Sequence, residues 1–239
     1  EINLVELVPQ NTSVVAQIND SISLKNSNLL TKIFSLNDDL KKTIQNIIPE
    51  NTPSPHVVFI TPLGRNENVV GLICKRNPMD SVVSGIKTIK YSGKTIGTIE
   101  IEGQTFYSTH LGHFKMLSQS QLVIENGIRN FQKQQRGITS QAFYKLAKSM
   151  DEDLAINFLL HPTSFPLAYD FFPNNPLFPD TGRDWIELGM EISENAINLN
   201  GVAFLNDSIP DGLFLVKNMK PKKLSLSKIV PENFTSYLG

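Results

Sequence analysis

The sequence predicts an α+β fold, a mainly antiparallel sheet with helices packed on it. Two observations carry the prediction. Candidate strands follow one another through short, Gly-bearing turns, and helical periodicity comes in separate blocks instead of alternating with single strands. The best-marked stretch is 86–117, where Ser92-Gly93, Glu102-Gly103 and Leu111-Gly112 punctuate alternating segments. Tight glycine turns at that spacing predict a four-stranded antiparallel meander.

The other elements follow in chain order. Val14–Ile18 is β-branched and comes after Asn11-Thr12-Ser13, so it reads as a strand. Leu29, Ile33, Leu36, Leu40, Ile44 and Ile47 recur at steps of three or four, the apolar face of one long helix or two short ones, ended by Pro49. Segments 56–61 and 68–75 predict two strands joined by a loop containing Gly64. After the meander, Ser118 and Gln121 have the spacing of a capping box for a helix reaching about Lys133, with Ile124, Ile128 and Phe131 facing inward. Phe143, Leu146, Ala147 and Met150 mark a further amphipathic helix. Segment 154–160 predicts a strand, and 185–193 with 195–205 predict a hairpin. In that hairpin Ile186, Leu188, Met190 and Ile192 are expected on the buried face, and Trp185, Glu187, Gly189 and Glu191 on a mostly wet one. Segment 212–217 reads as a last strand.

One phrase occurs three times: Leu7-Val8-Pro9-Gln10-Asn11, Ile47-Ile48-Pro49-Glu50-Asn51 and Ile229-Val230-Pro231-Glu232-Asn233. Proline holds the preceding residue extended and Asn favours a turn, while the aliphatic pair anchors the segment in the core. Glu50 and Glu232 correspond to the neutral Gln10, so no carboxylate chemistry is common to the three. The phrase reads as a reused turn that closes one unit and opens the next. One α+β domain is expected over 1–239, built of two architectural parts, 1–137 and 138–228, with 229–239 opening a further unit.

Composition excludes several classes. Hydrophobic residues make up 40% and charged residues 19% of 239, too apolar for a disordered chain. A net charge of −1 argues against a nucleic-acid partner. No apolar run is long enough to span a membrane. Cys74 is the single cysteine and lies in an apolar run, where a buried, inert thiol is expected.

Candidate chemistry is sparse. His110 and His113 flank the expected Leu111-Gly112 turn and would face each other, but zinc needs three or four ligands, so no metal is expected. Asp151, Glu152 and Asp153 read as an exposed turn and not as a catalytic pair. Ser225-x-x-Lys228 lacks the companion motifs of a Ser-Lys enzyme. Five lysines between 217 and 228 read as a solvated face. No phosphate loop or nucleophile elbow occurs, and no cofactor is implied. Phe171, Phe172, Leu177 and Phe178 are the candidate binding residues, because they sit on the proline-stiffened stretch 170–180, where exposed apolar side chains mark a contact.

The stretches LVELVPQNTSVVAQIND, TFYSTHLGHFKMLSQSQLVIENGIR and WIELGMEISENAINLNGVAFL resemble an uncharacterised family of flavobacterial and related Bacteroidetes proteins. That resemblance implies a secreted or lipid-anchored protein of the periplasm or cell surface, with a longer chain and an anchor upstream, and it supplies no active-site motif. The expected function is a non-enzymatic extracytoplasmic scaffold or interaction module with a cell-envelope partner. Binding of an apolar or glycan ligand is the alternative, and a hydrolase the third reading.

Overall fold

A computed structural model describes residues 4–19, 42–43, 47–48, 54–64, 67–76, 87–161, 183–192, 197–205 and 220. A 3-10 turn at Leu4–Leu7 leads into β1 (Val14–Ile18). The hairpin β2 (His56–Leu63) and β3 (Glu67–Lys75) follows. Next come β4 (Lys87–Tyr91), β5 (Lys94–Ile101), β6 (Gln104–Leu111) and β7 (Phe114–Ser118). Helices α1 (Gln121–Gln132) and α2 (Gln141–Ser149) precede β8 (Ile156–Leu160), β9 (Arg183–Ile192) and β10 (Ile197–Leu205).

The four strands expected over 86–117 are β4 to β7, but they do not make a sheet of their own. Among the described residues they are one side of a ten-stranded sheet in the order β10-β9-β8-β1-β2-β3-β7-β6-β5-β4, antiparallel at every pairing. Two long-range pairings enlarge it. The last strand of the meander docks on β3, with Ile73 opposite Met116. The two helices then carry the chain across the sheet to β8, which pairs with β1 and joins the later strands to the earlier ones.

Both faces of the central strands are buried, and alternation sorts their side chains. Val15, Val57, Phe59, Ile73, Ile96, Leu111 and Met116 share a core with Ile124, Ile128, Phe143 and Leu146 of the helices. Ile18, Val58, Val70, Leu72, Phe106, Leu117 and Met190 form a second core with Ile47 on the opposite face. Each such side chain removed from water stabilises the fold by roughly 1.5–3 kcal/mol. This double burial explains the near-continuous apolar runs of β2 and β3. Phe59 lies across the sheet from Gly71, and its ring occupies the space a side chain there would need.

Three details depart from the sequence reading. Ser118 does not cap α1. It is the last residue of β7 and its hydroxyl donates to the Val70 carbonyl, while Ser120 holds the N-cap position. The third meander turn is Gly112-His113, one residue later than expected, because Leu111 pairs with Phe114 and both side chains reach the core. The β9 alternation is inverted in part: Trp185, Glu187 and Gly189 are buried, and Ile186 and Leu188 are only half-buried. The cause is α2, which packs over β9 and seats Phe143 edge-on against Trp185 at 4.7 Å.

Other expectations match. Leu7 and Val8, and Ile47 of the second copy, are buried as anchors. The Pro9 carbonyl accepts from the Thr12 amide at 3.2 Å, closing the turn before β1. The third copy and the 212–217 strand lie outside the described residues. Side-chain amides fasten the α2–β8 connection to the sheet: buried Asn157 Nδ2 donates to the Asp151 carbonyl at 2.7 Å and half-buried Asn19 Nδ2 to that of Leu154 at 2.9 Å. No helix among the described residues is long and apolar enough to cross a membrane.

Candidate functional site

The connection between α1 and α2 is built against the N-terminal turn. Gly137 makes this possible, because a Cβ there would overlap the Val8 carbonyl. Its amide points to the Glu6 carbonyl at 3.4 Å. Arg136 pairs with the Glu6 carboxylate at 3.2 Å and lays its guanidinium over the Tyr144 ring, 4.2 Å from the centroid. The Tyr144 hydroxyl donates to the Ile138 carbonyl at 2.6 Å. Burial pushes the phenol up from an ordinary 10.0 to about 12, with Arg136 opposing and Glu6 reinforcing the shift. Ser140 caps α2, its hydroxyl accepting from the Phe143 amide at 3.3 Å.

These contacts frame an open groove of about 720 Å³. The Pro9 turn contributes Gln10, α1 contributes Asn130, the connection contributes Gln134 and Gln135, and α2 contributes Gln141 and Lys145. Gln134 adopts φ 52° just past the end of α1, where the chain leaves the helix. None of the five carboxamides has a hydrogen-bond partner among the described residues. Other amides are committed, Gln132 to the Ser92 carbonyl, Gln119 to the Val70 amide and Gln121 to Glu125, while exposed Asn11, Asn68, Asn198 and Asn200 have no such bonds among the described residues. Among the described residues no carboxylate lines the groove. A carboxamide both donates and accepts, so the groove is suited to hydrogen-bonding a neutral polar ligand. The Tyr144 phenol at its floor is moved away from neutrality, which does not suit it to acid–base work.

The sequence reading ended a helix at about Lys133 and did not foresee this groove. The signal available was the crowding of Gln132, Gln134, Gln135 and Gln141 into one short stretch. The predicted binding residues Phe171, Phe172, Leu177 and Phe178 lie outside the described residues, as does Ser225-x-x-Lys228. His110 stands opposite Lys115, not opposite His113, which is exposed in the turn. Asp151, Glu152 and Asp153 are exposed, and Asp151 accepts from the Asp153 amide at 3.0 Å. Cys74 is buried in the core of the face opposite the helices. Among the described residues no three His, Cys, Asp or Glu gather into a possible metal site.

Fold and groove together define an α+β protein with one wide antiparallel sheet and a polar groove beside its helices. No protein-family model and no curated protein matches the chain. Among solved structures it is similar to TP0453 in its crystal form I, with a TM-score of 0.51 and 13% identity over 90% of this chain and 83% of that one. Crystal form III of TP0453 gives a TM-score of 0.46 and 15% identity over 90% and 84%. At 13% identity the likeness to crystal form I concerns the fold alone.

Proposed function

We propose that the protein is a non-enzymatic, extracytoplasmic interaction module that takes up an extended segment of a partner protein along the outer edge of β10. The composition of that edge carries the reading. Among the described residues β10 ends the sheet, runs Ile197–Leu205 and contains no charged residue. Leu199 and Val202 are each 53% exposed. The opposite edge strand, β4, carries the exposed Lys87 and Lys90. Natural sheets guard free edges with lysine, proline or bulges, because unpaired N–H and C=O groups template another strand. The β10–β9 register shifts between Ala203 and Leu205, so the regular, uncharged part of the edge is 197–203, and that part is suited to strand addition, in which backbone bonds supply affinity and alternate side chains supply selectivity. Leu199 and Val202 stand on opposite faces of the sheet, so a partner strand would meet an apolar side chain on each.

The extracytoplasmic address rests on the resemblance to secreted and lipid-anchored proteins. Protease accessibility of the natural full-length protein in intact cells tests it, and recovery only from the cytoplasm refutes it. For the interface, the test is hydrogen exchange with and without partners isolated by crosslinking from position 199. The β10 amides that face away from β9 should exchange readily in the isolated full-length protein and become protected on binding, and Leu199→Lys with Val202→Lys should abolish that protection. Outward-facing β10 amides already fully protected in the isolated monomer would refute the reading.

A further inference from the structure

We infer that the groove between the Pro9 turn, the end of α1 and the start of α2 is a saccharide-binding site for a short neutral oligosaccharide. This is independent of the β10 interface. Five carboxamides converge on the groove, from Gln10, Asn130, Gln134, Gln135 and Gln141, and none is tied to another described residue. Planar amides that donate and accept from one end suit neighbouring sugar hydroxyls, which also do both. The volume of about 720 Å³ falls within the roughly 300–1,000 Å³ common for small-ligand sites.

Charge narrows the ligand. Arg136 is matched by Glu6 and spread over Tyr144, so its charge is not held in reserve for an anion. Lys145 is the other cation among the described lining residues, and its ammonium stands 5.7 Å from the Phe204 ring centroid. An acidic sugar or phosphate would call for a cluster of free cations, which the described lining residues do not supply. A peptide would call for apolar hollows to take its side chains. Ile138, the aliphatic residue of the lining, is 4% exposed and belongs to the core.

The base of the groove is held by packing and hydrogen bonds. Tyr144 is held by its bond to the Ile138 carbonyl and by Phe143, whose ring meets it edge-on at 5.2 Å. Gly137 locks the connection onto Val8, so Gln134 and Gln135 ride on a fixed loop and Gln10 on the turn it abuts. The first copy of the repeated phrase therefore contributes to the site through its Gln, at the position where the other two copies have Glu.

The experiment is a titration of the full chain, followed by the NMR signals of the side-chain amides. The probes are linear neutral tetrasaccharides of glucose, mannose and N-acetylglucosamine, their uronate counterparts, and an unstructured peptide of similar length. Saturable shifts of Gln134, Gln135 and Gln141 with at least one neutral tetrasaccharide are expected. Each amide replaced by Ala should weaken binding roughly 2- to 12-fold, the equivalent of ~0.5–1.5 kcal/mol per hydrogen bond. Gln10→Ala should weaken it as Gln134→Ala does, and Gln121→Ala, at the far end of α1, should leave it unchanged. These side chains are exposed or half-exposed, so an unchanged melting temperature separates lost binding from lost fold. Absence of saturable binding by every saccharide would overturn the assignment. So would preference for the uronates or the peptide, or equal binding by the Gln134→Ala, Gln135→Ala, Gln141→Ala triple variant.

Discussion

Replacing Gly71 by Ala tests the packing at the centre of the sheet. A Cβ at this position would stand 2.0 Å from Phe59 Cζ and 2.5 and 2.6 Å from the two neighbouring ring carbons. Phe59 is fully buried at 0% exposure, so its ring has no solvent to swing into and must push into Val57, Ile73 and their neighbours. Overpacking of a tight core costs about 1–3 kcal/mol, and an overlap with three ring carbons belongs in the upper half of that range. The loss of glycine's freedom in the unfolded chain offsets about 0.5–1 kcal/mol. A net loss of about 1–2.5 kcal/mol remains, a fall in melting temperature of roughly 2–10 °C for a chain of this size. Urea denaturation and calorimetry measure it, and a double-mutant cycle assigns it. Phe59→Leu alone should destabilise by opening a cavity. Combined with Gly71→Ala, it should leave the protein at least about 1 kcal/mol more stable than the sum of the two losses. A Gly71→Ala protein within about 0.5 kcal/mol of the parent, or strictly additive losses, would refute the reasoning.

Three further perturbations have defined outcomes. Burial raises the Glu187 carboxyl above its ordinary value, with a hydrogen bond from the Val202 amide opposing. The folded state thus holds its proton to higher pH than the unfolded state, stability falls as pH rises through that window, and Glu187→Gln should raise the melting temperature at neutral pH. A lower melting temperature would contradict the burial cost. Burial lowers His161, which lies edge-on to Trp185 at 5.1 Å, with the Asp184 carboxylate opposing. The unfolded state then binds the proton more readily, so stability should drop as pH falls below about 6.5, and His161→Phe should flatten that slope in denaturation curves taken across the range. Gly137→Ala would drive a Cβ into the Val8 carbonyl, 1.7 Å away, a backbone atom that cannot rotate aside. It should expose the α1–α2 connection to limited proteolysis near Arg136, and cleavage no faster than in the parent would count against the docking described above.

Much of the architecture was legible in the chain, for reasons of short range. The period-two pattern and its glycine turns located β4 to β7, because a two-residue hairpin turn and the strands beside it are set by neighbouring residues. The 3.6-residue pattern located α1 and α2 in the same way, and Leu7-Val8-Pro9 read correctly as an anchor followed by a turn. What went astray depended on residues distant in sequence. Ser118 has the spacing of a cap, but β3 lies beside it and offers the Val70 carbonyl. Trp185, Glu187 and Gly189 read as a wet face, since a Glu and a Gly suggest solvent, until α2 is laid across them. The groove was hidden for the same reason: Gln10 and Gln134 are far apart in the chain, and only the close approach of Gly137 to Val8 makes them neighbours.

The sequence by itself located β1 to β10, α1 and α2 and the first two meander turns, and placed Cys74, Leu7, Val8 and Ile47 in the interior. These follow from periodicity and turn chemistry, whose energies are settled within a few residues. Only the tertiary structure decided that the meander is part of a ten-stranded sheet, which face of β9 is covered, and that five amides meet at one groove. Pairing β7 with β3 and β8 with β1 depends on buried area summed over both faces of the sheet, and no local pattern records which strands will share it.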